Sequence, residues 1–220
     1  VFYKGSVAKT IIDSSAKVGG ILSMDDLANY KSQFGEPISS TFAGHEILGH
    51  DSWSQGPMVQ QSLNILENFD LEAMGHNTPE YIHTVTETLK LVFGDREAFY
   101  ADPDFAEIPI DGLLSKEYAA LRRGLISSGK ALAEYPPGDP RKMLAVAENH
   151  QFSENASVLE SVGGDADGTT YLATVDSSGN MVSVTPSSFA GLAQGMVLGD
   201  TGILINCRGC YFWLDADNPN

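Results

Sequence analysis

The feature that most limits the fold is a change of hydrophobic period at Thr169. Upstream, apolar residues recur mostly at three- and four-residue spacings; from Thr169 they follow the two-residue period of strands. Val7, Ala8, Ile11, Ile12 and Ala16 predict a helix over Phe2–Ala16. Ser23 caps a short helix, Asp25–Tyr30. Ile38–Phe42 and His45–Leu48 read as two strands around Ala43-Gly44. Gly56-Pro57 opens an amphipathic helix over Met58–Phe69. Thr78 as cap and Pro79 at the first helical position open another, whose expected apolar face is Tyr81, Ile82, Val85, Leu89, Val92 and Phe93. Ser115–Ile126 is a further helix. Ser127–Gly164 is polar, carries Pro136-Pro137-Gly138 and Pro140, and reads as a long loop or linker. Helices first and strands second predict an α+β layered fold, and 220 residues suffice to bury the core of one domain or two.

At the change of period lies Asp165-Ala-Asp-Gly-Thr-Thr-Tyr171, an acidic turn running into two threonines. Gly163, Gly164 and Gly168 are expected to loosen the backbone, and Asp165 and Asp167 favour turns. Tyr171–Val175, Asp176-Ser-Ser-Gly-Asn180 and Met181–Thr185 then read as a β-hairpin with Gly179 in the turn. A threonine becomes a nucleophile when the peptide bond before it is cut, because the freed α-amine serves as base for its own hydroxyl. Paired threonines at a strand start also express plain β-propensity, and the residues alone leave both readings open.

Other chemistry is poorly represented. The formal net charge of −16 argues against nucleic-acid or anionic-membrane partners. No apolar run reaches membrane-spanning length. The residues predict a soluble protein, cytoplasmic or periplasmic/secreted, with the compartment left open. Cys207 and Cys210 form a C-x-x-C after a strand-like run, Gly202–Ile205, not at a helix start, and one pair cannot fill a zinc site. Two partly buried thiols are the default. The histidines show no ligand spacing, so neither metal nor cofactor is expected. Asp95, Asp102 and Asp104 suggest a carboxylate cluster at first sight. Asp102-Pro-Asp104 reads more simply as a turn whose side chains bond backbone, with Arg96 as an ion-pair partner.

Several blocks, in order, resemble the γ-glutamyltransferase (γ-glutamyltranspeptidase) family of self-cleaving N-terminal-nucleophile amidases. They are Gly19-Gly-Ile-Leu-Ser-Met-Asp-Asp-Leu-Ala-Asn-Tyr30, Gln55-Gly-Pro-Met-Val-Gln-Gln-Ser-Leu-Asn-Ile-Leu-Glu67, Asp95-Arg96 with Ala101-Asp-Pro-Asp-Phe105, Gly168-Thr-Thr-Tyr171, and Thr201-Gly-Ile-Leu-Ile-Asn206. The resemblance implies a four-layer αββα sandwich, present here in part, with Thr169 beginning a central strand. It implies that residues 1–168 correspond to the C-terminal part of the large subunit, mostly helical and ending in a linker. Residues 169–220 would be the N-terminal part of the small β subunit. By the same resemblance, an arginine that grips the substrate carboxylate lies upstream of Val1, and two oxyanion-binding glycines lie downstream of Asn220. The implied partners are a small-molecule amide substrate and the rest of both subunits, with a homodimer or a heterodimer of cleaved subunits as the assemblies.

The same resemblance assigns roles. Thr169 matches the nucleophile, with Thr170 as runner-up, and Gly168 carries the carbonyl that is cut. The family's third position is commonly His; here it is Tyr171. Ser187 stands where the family has a second hydroxyl bonded to the nucleophile, although a loop serine after Pro186 is the competing reading. The Asn, Gln and Asp that hold a γ-glutamyl substrate fall on Phe189, Arg208 and Tyr211. Phe189 offers no polar group. Arg208 repels an α-ammonium, and Tyr211 supplies no anion for it. Cys207-Arg-Gly-Cys-Tyr-Phe-Trp-Leu-Asp-Ala-Asp-Asn-Pro-Asn220 instead resembles a divergent branch of amide hydrolases and acylases. The expected activity is therefore a self-cleaving threonine amidohydrolase or acyltransferase on a non-glutathione amide. An authentic γ-glutamyl enzyme and a catalytically incompetent chain are the alternatives.

Overall fold

A computed structural model describes residues 1–148, 169–187, 196–205 and 209. The chain forms two compact units: Gly35–Phe152 with Trp213–Asn220, and Val1–Phe34 with Ser153–Phe212.

The first of these is built on two antiparallel strands and a set of helices. Strands β1 (Ile38–Phe42) and β2 (His45–Gly49) pair from Ile38↔Gly49 to Phe42↔His45. Their two-residue turn has φ of 48° at Ala43 and 81° at Gly44. Both central residues are therefore left-handed, as the twist of a tight hairpin requires. Ala43 bears that conformation with help: its N–H donates to Glu67 Oε1 at 2.8 Å. Helix α3 (Gly56–Leu66) lies under the hairpin, and Gln60 Nε2 donates to the carbonyls of Ile38 and Ile47. Lys116 adds a second tie, donating to Thr41 O, Asn64 Oδ1 and Glu67 Oε2.

Helices α4 (Leu71–Met74), α5 (Pro79–Phe99), α6 (Ile110–Leu113) and α7 (Lys116–Arg123) complete this unit. Thr78 and Ser115 cap α5 and α7 by accepting from Tyr81 N–H and Tyr118 N–H. The apolar core joins Met58, Ile65, Leu91, Val92, Tyr100, Leu113, Tyr118, Ala119 and Ile126.

The expected face of α5 is only partly the buried one: Val92 is buried and Tyr81 and Val85 are half-buried. Ile82, Leu89 and Phe93 are 49%, 40% and 40% exposed, while Thr84, Glu87, Thr88, Leu91, Val92 and Asp95 are buried. The polar members of the buried face are there because they have partners. Glu87 accepts from Lys90 Nζ and Leu132 N–H. Asp95, fully buried, faces Arg122 Nη2 at 3.2 Å and accepts from Gln61 Nε2, Tyr118 Oη and Gly138 N–H. Burial pushes its carboxyl above the ordinary value, and the Arg122 guanidinium and these donors act against that rise. Arg122, also fully buried, donates to the carbonyls of Leu91, Pro136 and Ala145. The segment expected to be a loop after Ser127 is accordingly pinned over Tyr135–Ala147. Glycine is required at its closest approaches. A Cβ on Gly94 would meet Tyr135 O at 2.3 Å, and one on Gly138 would meet Tyr118 Oη at 2.1 Å.

In the other unit, helix α1 (Ser6–Lys17) buries Ala8, Ile11 and Ser15. Helix α2 (Met24–Asn29) starts with a reciprocal capping box between Ser23 and Asp26. Gly199, at φ 65°, turns so close to α1 that a Cβ there would lie 2.4 Å from Thr10 Cγ2. Strands β3 (Leu172–Val175) and β4 (Met181–Val184) form the second antiparallel hairpin. Among the described residues, no helix is long and apolar enough to cross a membrane.

Removing one partner of a fully buried ion pair leaves an uncompensated charge, which costs about 3–5 kcal/mol. Arg122→Ala is expected to destabilise the protein on that scale in urea unfolding. Arg122→Lys keeps the charge but not the guanidinium fork, and is expected to fall between the two.

Candidate active site at the start of the β3–β4 hairpin

The hairpin register runs from Val175↔Met181 to Leu172↔Val184 and continues to a bridge between Thr169 and Ser187. Antiparallel pairs alternate between hydrogen-bonded pairs and closer, non-hydrogen-bonded pairs. The backbone bonds here fall on even-numbered residues: Thr170 N–H donates to Pro186 O at 3.1 Å, and Asp176 N–H to Asn180 O at 3.0 Å. Thr169 and Ser187 thus occupy a non-hydrogen-bonded pair, where side chains approach most closely. Their hydroxyl oxygens are 2.7 Å apart. Thr169 is exposed and Ser187 half-buried. Thr170, one residue on, faces the other side of the strand by the two-residue period.

The far end of the hairpin is fixed by its turn. The Asp176 carboxylate accepts from Ser178 N–H, Asn180 N–H and Asn180 Nδ2. Gly179 takes φ of 82°, the left-handed residue of a three-residue loop. The Asn180 side chain, then its backbone N–H, holds the Asp176 carboxyl below its ordinary value of 3.8.

The other predicted site residues divide plainly. Gly168, Phe189, Arg208 and Tyr211 lie outside the described residues, as do Cys207 and Cys210. Asp102 serves its own turn, accepting from Asp104 N–H, and Asp95 belongs to the buried core of its unit. Arg96 bonds Glu97 and lies 5.6 Å from the Phe93 ring centre. No cluster of metal-ligating side chains occurs among the described residues. An open groove in the helical unit is lined by Phe69, Met74, His83, Arg123 and Ile126. There His83 Nε2 bonds Ser127 O, and Arg123 sits 4.6 Å over Phe69. That groove holds no hydroxyl pair comparable to Thr169–Ser187, and no motif in the chain pointed to it.

Comparison with known proteins supplies the family. The γ-glutamyltranspeptidase family model matches residues 1–220. The chain belongs to the γ-glutamyltranspeptidase family. It is 34% identical to the glutathione hydrolase-like YwrD proenzyme of Bacillus subtilis (strain 168), covering all of this chain and 37% of that protein. It is 33% identical to the glutathione hydrolase proenzyme of Escherichia coli (strain K12), covering all of this chain and 35% of that one. The crystal structure of cephalosporin acylase from Bacillus halodurans superposes with a TM-score of 0.79 at 32% identity, over 99% of this chain and 35% of that chain. The α+β fold expected of an N-terminal-nucleophile hydrolase is thereby shown, and the chain spans a little over a third of the length of these relatives.

The Asp176 turn is directly testable. In an NMR titration the Asp176 carboxyl carbon is expected to show a midpoint below 3.8, rising toward that value in Asn180→Ala.

Proposed function

We propose that this protein is a self-cleaving N-terminal-threonine amidohydrolase or acyltransferase acting on an amide other than glutathione. The observation that carries the reading is the 2.7 Å contact between Thr169 Oγ1 and Ser187 Oγ at the head of the hairpin. The family's proenzyme relatives support it, since their names describe precursors.

Two steps follow from one hydroxyl. In the precursor, Thr169 Oγ1 attacks the Gly168 carbonyl carbon. The C–N bond breaks, an ester forms on Thr169, and the former amide nitrogen leaves as the α-amine. Water then hydrolyses the ester, giving a Gly168 carboxylate and Thr169 as a new N-terminus. In turnover, the α-amine takes the proton from Oγ1 as it attacks the substrate carbonyl, and the leaving amine receives a proton. Water or a second amine accepts the acyl group and restores the hydroxyl. Ser187, as donor and acceptor, orients the attacking oxygen in both steps. The cut then separates the segment that ends at Gly168 from the segment that begins at Thr169.

The substrate reading comes from the three clamp positions. Phe189, Arg208 and Tyr211 supply neither the anion nor the amides that an α-amino acid end group needs. A fixed guanidinium at Arg208 suits a carboxylate instead. The acylase neighbour favours this reading, whereas the glutathione hydrolase names of two relatives favour the γ-glutamyl alternative.

Thr169→Ala is expected to leave a single uncut chain by intact mass, and Thr169→Ser to retain cleavage. Maturation of the alanine variant at this bond would remove Thr169 from the role. Loss of the amino-acid clamp is worth on the order of a hundredfold in specificity. Glutathione is therefore expected to show kcat/KM about a hundredfold below the best simple amide or acylated amine in a panel. Equal turnover of the two would support the γ-glutamyl alternative.

A further inference from the structure

We propose that the hydrogen bond between Tyr171 and Ser183 is a positioning contact for the Thr169–Ser187 pair. This rests on the reading of Thr169 as the nucleophile. In the hairpin register the odd-numbered residues Thr169, Tyr171, Ala173 and Val175 share one face with Met181, Ser183, Thr185 and Ser187. That face carries a row of hydroxyls. Ser183 Oγ donates to Tyr171 Oη at 3.3 Å. Ser183 stands opposite Ala173, so the bond runs diagonally, across the reach that aromatic side chains span between strands.

The need for such a tie follows from the ladder. At the far end, the Asp176 carboxylate collects three donors and fixes the turn. At the Thr169 end the ladder is thinner. Pro186 accepts from Thr170 N–H but has no N–H to return, so this rung has one bond where a full one has two. The Tyr171–Ser183 bond starts on the rung next to this weak one, at Tyr171, and ends opposite Ala173, two rungs further on. It also has the same register requirement as the reacting pair. A slip of one residue puts the partners on opposite faces, and a slip of two takes Ser187 away from Thr169 and Ser183 away from Tyr171. Attack requires the reacting oxygen to be held in a near-attack geometry, so the tie acts on the rate of reaction rather than on substrate binding. Tyr171 is 64% exposed and Ser183 is exposed, so the expected effect is modest.

The test uses the full-length protein with Tyr171→Phe, Ser183→Ala, the double variant, Ser183→Thr, and Thr169→Ala as control. Self-cleavage is followed by intact mass against time, and turnover of a simple amide by kcat and KM. Each single variant is expected to slow cleavage and lower kcat about fivefold, with KM and melting temperature near those of the parent. The double variant is expected to be no slower than either single, and Ser183→Thr to recover most of the rate. Unchanged rates, additive losses, a rise in KM alone, or a fall in melting temperature that accounts for the lost rate would each overturn the proposal. If Thr169→Ala still matures at the 168–169 bond, the nucleophile reading itself fails. If it does not mature while Tyr171→Phe processes at the parental rate, only the positioning role fails.

Discussion

The helical unit depends on one ion pair that has no access to water. Asp95 and Arg122 are both fully buried. An isolated charge in that setting costs far more than a pair that is also held by hydrogen bonds. That requirement explains much of the surrounding structure. Gln61 and Tyr118 turn inward to donate to Asp95, and Tyr100 donates to Gln61 Oε1 at 3.0 Å. Burial, with the Asp95 charge adding to it, pushes both tyrosine hydroxyls well above their ordinary value, which keeps them as donors. Arg122 donates through Nη1 and Nη2 to the backbone carbonyls of Leu91, Pro136 and Ala145. A stretch with no helix or strand of its own, Tyr135–Ala147, is ordered by these bonds.

At the candidate site the corresponding constraint is parity. Whether two side chains on paired strands meet closely depends on which rungs carry the backbone bonds. The Thr170–Pro186 bond sets that parity and makes Thr169–Ser187 a close pair. The proline after β4 accepts at the even rung but has no N–H, so it removes the return bond next to the proposed nucleophile.

Most element positions were legible because each carries its own local signal. The Ser23 box, the Thr78 and Ser115 caps, the Ala43-Gly44 turn and Gly179 all stand where short-range chemistry places them. The face of α5 was legible only in part, at Val92. Periodicity ranks side chains by hydrophobicity, and on that scale Ile82, Leu89 and Phe93 outrank Glu87, Thr88 and Asp95. The fold reversed that order because the polar residues have partners remote in sequence, such as Leu132 for Glu87 and Arg122 for Asp95. Arg122 also gave no signal, since an arginine at the end of a helix ordinarily answers its dipole at the surface.

The sequence by itself determined the α+β class, the hairpin that follows Thr169, and the family, because these rest on period, turn residues and ordered motifs. It also named Ser187 as the partner hydroxyl, though only beside the competing reading of a loop serine. Tertiary structure decided that the two oxygens lie 2.7 Å apart, that Thr170 faces the other way, and that Ser183 reaches Tyr171. Those facts depend on strand register. Register emerges only when two segments pair, since no single residue encodes which rung will carry the bonds.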